Sequence, residues 1–323
     1  MSDKDAQWKV RRRADEGEGE EAPAVGPPTE AVAPAPEPVE TLDAVLADLD
    51  AMIGLDAVKN TVRTLISLHR VNKARVEQGA PEVPAGLHLV FTGNPGTGKT
   101  TVARIIARVY RSLGILDRGH LVEVDRGGLV AEYVGQTAPK VLDAVNRAVG
   151  GVLFIDEAYS LAPPDSRENY GAEAVATLVK AMEDRRDEFA VIVAGYPQEM
   201  HRFVESNAGL RSRFQRYIEF ADYSTDELLQ IFSGQAAAAN IQITDEVENR
   251  VRQLFERSGD QIARGNGRFV RNLFESMYGR MALRIDADGV IEPEELEAFA
   301  PEDVPEAGGP AASDHRAGGA GYL

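Results

Sequence analysis

The sequence predicts an α/β fold: a five-stranded parallel sheet with helices on both faces, followed by a small all-helical domain. Strand-like apolar runs stand at Leu87–Thr92, His120–Asp125, Val152–Asp156, Ala190–Ala194 and Tyr217–Phe220. Stretches with helical spacing of apolar residues separate or follow them, at 56–78, 99–113, 138–148, 171–184 and 197–204. Such alternation argues for parallel strands buried on both sides. After Tyr223 the strand signal stops, and helical pattern alone continues at about 225–239, 245–258 and 267–284. The expected boundaries are a proline-rich acidic head at 1–40, an α/β domain at 41–222, a helical domain at 223–285 and an acidic Pro/Gly/Ala-rich tail at 286–323.

Composition narrows the function classes. The chain has 323 residues, 43% of them hydrophobic, which is ample for a sizeable core. It has no cysteine, which excludes disulfides, thiolate-bound metals and thiol catalysis. No apolar run approaches the roughly 20 residues of a membrane span. The first 30 residues are charged and proline-bearing and lack the apolar middle of a signal peptide, so the expectation is a soluble, cytoplasmic protein. The net charge of −17 is uneven: −5 lies in residues 1–40, −9 in 286–323 and only −3 between them. The central region is thus near neutral, which disfavours a generally basic nucleic-acid binder.

The first chemical motif follows the first strand. Gly93-Asn94-Pro95-Gly96-Thr97-Gly98-Lys99-Thr100 is G-x-x-x-x-G-K-T, preceded by a strand and followed by a helix starting at Thr101. The glycines let backbone N–H groups converge on phosphate oxygens, and the helix N-terminus favours negative charge there. Lys99 is expected to reach the β- and γ-phosphates and the Thr100 hydroxyl to ligate Mg²⁺. The second motif is the buried strand Val152-Leu153-Phe154-Ile155 ending in Asp156-Glu157, 57 residues after Lys99. Asp156 is suited to holding Mg²⁺ and Glu157 to polarising an attacking water. Together the motifs predict ATP hydrolysis.

With the appended helical domain, these motifs resemble the AAA+ ATPases, and more narrowly the CbxX/CfqX family. That family includes red-type Rubisco activases and relatives in type VII secretion and sporulation. The resemblance spans roughly residues 50–285 and rests on Gly93–Thr101, on Gly119-His120-Leu121-Val122, and on Tyr133-Val134-Gly135-Gln136-Thr137-Ala138-Pro139-Lys140. It extends through Gly150–Tyr159, Ala194-Gly195-Tyr196-Pro197 and Gly209-Leu210-Arg211-Ser212-Arg213-Phe214.

The resemblance implies further roles. A ring, expected to be a hexamer, would place Arg213, with Arg211 second, at the γ-phosphate held by a neighbouring subunit. Arg268, with Arg271 as the alternative on the same helix face, would reach the cleft from the helical domain. Tyr133-Val134-Gly135 would form a pore loop that grips a polypeptide client. Ile53-Gly54 would contact adenine. Where many AAA+ proteins carry Asn, Ser or Thr to bind the attacking water, this chain has Tyr196, whose hydroxyl is the candidate substitute. The implied function is an ATP-driven protein remodeler; the alternative is an ATP-dependent assembly scaffold without threading. Its client would be red-type Rubisco or a secretion or sporulation component. The stretch Asp286–Glu295 imitates half of an EF-hand loop, but its first ligand position is Arg284, so calcium is not expected.

Overall fold

The computed structural model describes residues 40–81, 83, 86–133, 135–163, 170–287 and 292–306. Five strands form one parallel sheet: β1 (Leu89–Gly93), β2 (Leu121–Val124), β3 (Val152–Ile155), β4 (Ala190–Gly195) and β5 (Tyr217–Phe220). Their order across it is β2-β3-β4-β1-β5. Alternate strand residues point to opposite faces. Leu89, Phe91, Phe154, Ile192 and Phe220 enter the core shared with α1 (Leu42–Ala51), α2 (Asp56–Glu77) and α3 (Lys99–Ser112). Val90, Leu153, Ile155, Val191 and Val193 enter the other core. That core is completed by α4 (Arg126–Leu129), α5 (Thr137–Ala148), α6 (Tyr170–Asp184), α7 (Pro197–Glu205) and α8 (Ala208–Arg213). Burial on both faces is why the inner strands β1, β3 and β4 read as continuous apolar runs, whereas the edge strand β5 alternates buried and exposed residues.

The topology makes β1 the pivot. Its neighbours are β4 and β5, although its successor in the chain, β2, lies at the far edge. Reversals of this kind open a crevice beyond the carboxyl end of the strand concerned, and the glycine-rich loop leaves β1 at that point.

The helical domain begins immediately after Tyr223. Ser224 caps α9 (Thr225–Ala238) in a capping box: its hydroxyl accepts the Glu227 N–H at 3.3 Å, and the Glu227 carboxylate accepts the Ser224 N–H at 2.7 Å. Helices α10 (Asp245–Arg257), α11 (Gly259–Gly265) and α12 (Gly267–Asp286) close a separate core around Phe232, Val251, Phe255, Leu273 and Met277.

The reading of 286–323 as a loose tail needs correction for residues 292–306, which pack back onto this domain. Phe299 is buried between Phe232 and Phe274, with ring centroids 6.2 and 5.6 Å away. Ala298 bridges Gln242, and buried Asp303 accepts two hydrogen bonds from Arg284, each of 3.1 Å. The segment is held by Phe299, the Asp303 carboxylate and backbone bonds to Gln242, none of which makes a periodic signal, so its acidic surface dominated the sequence pattern. Arg284, which spoils the EF-hand imitation, has this structural partner. The head at 1–39 and residues 288–291 and 307–323 lie outside the described residues, as does Val134. Among the described residues no helix is long and apolar enough to cross a membrane.

Candidate active site

The floor of the crevice is the loop between β1 and α3. Gly96 has φ 74°, and a Cβ there would lie 2.0 Å from the carbonyl oxygen of Gly265, so only glycine fits. The Thr97 hydroxyl donates to the Asn94 carbonyl at 2.8 Å and folds the loop on itself. Among the described residues, the N–H groups of Gly96, Thr97 and Gly98 donate no backbone hydrogen bond. The first N–H groups of α3 lack intrahelical partners by geometry. The result is a concave set of donors suited to phosphate oxygens.

Lys99 points into this cradle, its ammonium donating to the carbonyls of Gly93 at 2.9 Å and Asn94 at 2.7 Å. Burial lowers its pKa from the ordinary lysine value, Arg268 adds to that, and the Asp156 carboxylate opposes it. Among the described residues Lys99 has no carboxylate within ion-pair distance, which leaves its charge for an anionic ligand.

Above the floor lies a cavity of about 560 Å³. Gly93, Pro95, Gly96, Gly98, Lys99, Thr100 and Thr101 line its base. Asp156, Glu157, Gly195 and Tyr196 line one wall, Ala51, Met52, Ile53, Tyr223 and Ile231 another, and Gly267, Arg268 and Arg271 the roof. Asp156 leaves the end of β3, and its Oδ1 accepts the Glu157 N–H at 3.0 Å. Glu157 itself has φ 47°, a left-handed conformation that a non-glycine residue holds only under constraint, and it leads into a 3₁₀ turn at Ala158–Leu161. Tyr196 caps α7, its ring centroid 6.1 Å from that of Tyr159. The wall of Met52, Ile53 and Ile231 suits an apolar ring, the base suits phosphates, and the acid pair stands beside them.

Not every expected residue faces this cavity. Thr97 is buried with its hydroxyl turned into the loop, and Asn94 donates outward to both Asp222 oxygens at 2.9 Å. Gly54 lies against Glu227 of α9. Arg213, at the end of α8, is ion-paired with Glu183 of α6 and donates to the Gly209 carbonyl at 3.2 Å. It borders a different depression, of about 1100 Å³, that also includes His88 and Arg216. Arg211 pairs with Glu205 at 3.1 Å. Beside Arg213, His88 is buried against Phe189 and Phe214, and its Nδ1 accepts the Val191 N–H at 3.0 Å. Burial, with the Arg213 charge, lowers its pKa to about 4. Tyr133 is 68% exposed on the loop between α4 and α5, beside Gly135 at φ 80°.

Sequence reasoning missed Met52, Tyr223 and Ile231 in the cavity wall, and Asp222 and Asn266 at the junction of the two domains. The apolar residues carried no signal that separates them from core. Asn266 does interrupt the helical pattern between two glycines, a local cue that was available.

Comparison with known proteins agrees with this geometry. The family model described as "ATPase family associated with various cellular activities (AAA)" matches residues 89–222, and an AAA lid domain model matches 224–314. The chain is 43% identical over 263 residues to protein CbbX of Cereibacter sphaeroides, covering 80% of this chain and 85% of that protein. It is 44% identical over 244 residues to the chloroplastic ribulose bisphosphate carboxylase/oxygenase activase of Cyanidioschyzon merolae, covering 75% and 83%. To stage V sporulation protein K of Bacillus subtilis it is 41% identical over 241 residues, covering 74% of each. Among solved structures, the FIGL-1 AAA domain matches with a TM-score of 0.55 at 19% identity, over 81% of this chain and 86% of that one, a likeness of fold. The chain belongs to the AAA+ ATPases, in the CbxX/CfqX family that includes the CbbX and CfxQ proteins.

Proposed function

We propose that the chain is the subunit of a ring that uses ATP hydrolysis to remodel a protein client. The observation that carries this reading is a division of charge. Lys99, Asp156 and Glu157 share one cavity, while Arg213, the candidate transition-state cation, borders a different depression. A finger that does not reach its own chain's site can serve a neighbour's, and repeated head-to-tail completion gives a ring where the rotation closes.

In this reading Lys99 and the loop N–H groups hold the β- and γ-phosphates, and Ile53 with its neighbours receives the adenine. Thr100 and Asp156 hold Mg²⁺, which when bound neutralises phosphate charge. Glu157 orients and polarises the attacking water, with the Tyr196 hydroxyl as its second hydrogen-bond partner. Arg268, with Arg271 beside it, brings positive charge from the roof. The neighbour's Arg213, released from Glu183, or Arg211 in second place, stabilises developing charge on the γ-phosphate. Tyr133, on the loop with Val134 and Gly135, offers sequence-tolerant contact area to an extended polypeptide.

Red-type Rubisco is the first candidate client, since a relative of this chain is named for activating ribulose bisphosphate carboxylase/oxygenase. A sporulation component is the second, from the name of the Bacillus relative, and a secretion component the third, from the family resemblance alone. The test is capture with a Glu157→Gln variant in ATP, with Tyr133→Ala in the same background. Purified red-type Rubisco held only when Tyr133 is present supports threading and names the client. Equal retention with either residue at 133 overturns the pore reading in favour of a scaffold. Native mass measurement with ATP reads the ring directly.

A further inference from the structure

One buried residue joins the floor of the cleft to its roof. Asn266 immediately precedes α12, is fully buried, and holds φ 45°, ψ −121°, a backbone region favoured by glycine. Its side-chain amide bonds in three directions. Oδ1 accepts the Tyr223 N–H at 3.0 Å, and Nδ2 donates to the Asp222 carboxylate at 2.8 Å and to the Pro95 carbonyl at 3.4 Å. Asp222 in turn accepts from the Asn94 amide at 2.9 Å. Beside this, the Gly267 N–H donates to the Gly96 carbonyl at 3.1 Å. Phosphate loop, interdomain hinge and arginine-bearing helix thus share one network.

We propose that Asn266 is a positioning residue that makes the angle of the helical domain depend on what the phosphate loop holds. The reason lies in the peptide plane. The Pro95 carbonyl and the Gly96 N–H belong to one planar unit, as do the Gly96 carbonyl and the Thr97 N–H. A phosphate that draws those N–H groups inward tilts the carbonyls bonded to Asn266 and Gly267. The Asn266–Pro95 bond is the longest in the network, so it has the most room to tighten. Movement there passes to the start of α12 and so to Arg268 and Arg271. Linkage makes the coupling reciprocal: a lid held in place raises nucleotide affinity by the factor with which nucleotide favours that lid position. The proposal rests on ATP binding in this cleft and is independent of the ring and of any client.

The test uses the full chain. With no native cysteine, paired spin labels at Lys180→Cys on α6 and Arg280→Cys on α12, both exposed, report the distance between the domains. Labelled chain is diluted into unlabelled chain so that only distances within one subunit count. ADP is expected to shift the distance in the otherwise unmodified protein. Asn266→Gly suits the backbone and removes the amide. It is expected to raise the ADP dissociation constant up to about tenfold, the worth of one strong neutral hydrogen bond, and to abolish the ADP-induced shift. Should that variant fail to fold, Asn94→Ala cuts the same network from the loop side and is expected to diminish the shift. If the folded Asn266→Gly chain binds ADP as tightly as the parent, or keeps the full shift, Asn266 serves the fold alone and the proposal is overturned. Absence of ADP binding to the parent would instead sink the nucleotide assignment.

Discussion

The floor and the roof of the cleft are built in different ways. The floor is a contiguous run, residues 93–101, gripped between a buried strand and a buried helix, with its lysine secured to two loop carbonyls. The roof presents two exposed arginines whose placement depends on a helix start held by Asn266 across the domain junction. A floor of this kind decides whether a nucleotide is held at all. A roof of this kind decides how tightly and when, because its restraints can be made or broken while the fold survives.

The largest effects are therefore expected at the floor and at the acid pair on the wall beside it. Lys99→Ala should remove measurable ADP binding by calorimetry, and Glu157→Gln should keep binding while lowering kcat by about 10³-fold. A Glu157→Gln variant that retained turnover would break the comparison, since the acid would then not polarise the water. Arg213→Ala tests completion of the site from outside. It should lower kcat by about 10³-fold, and mixing it with Glu157→Gln subunits should recover part of the activity if sites are shared between subunits.

Stability separates the two domains next. Phe299→Ala should cost about 3–5 kcal/mol, seen as faster hydrogen exchange in α9 and α12 with the sheet unaffected. Exchange that rose equally in β1 would show that the domains unfold as one. Acidification acts at the other end of β1, on His88. Its folded-state pKa is near 4, below the ordinary 6.5, so the folded protein binds fewer protons than the unfolded chain between those values. Its stability contribution is complete above about pH 6.5 and is lost as pH falls toward 4, by about 3 kcal/mol. His88→Asn should flatten that slope in a urea-unfolding series. The smallest effect belongs to the roof: Arg268→Ala should raise KM for ATP about tenfold, the loss of one charged contact, with Arg271→Ala showing which arginine matters more.

Much of this was legible in the order of residues. The five strands, most of the longer helices of both domains and the contents of the phosphate loop were readable because each depends on near neighbours, through strand burial, helical spacing and glycine backbone freedom. The helices α1, α4, α8 and α11 were not named. Three of them are at most seven residues long, too short for a periodic pattern, and α1 follows a proline-rich stretch that masked its start. Residues 292–306 escaped because Phe299, the Asp303–Arg284 pair and backbone bonds to Gln242 hold them, and none of these makes a pattern.

The sequence by itself thus determined the sheet, the phosphate loop and the Asp156–Glu157 pair. Tertiary structure alone decided which loop side chains face the cavity. Thr97 turns inward, and Asn94 reaches Asp222, 128 residues away. It also decided that Arg213 stands away from the cavity of Lys99, paired with Glu183, and that Asn266 touches Pro95 across 171 residues. The physical reason is the range of the forces involved. Backbone geometry and burial leave their mark every two or four residues, whereas a hydrogen bond between distant side chains leaves none until the chain has folded around it.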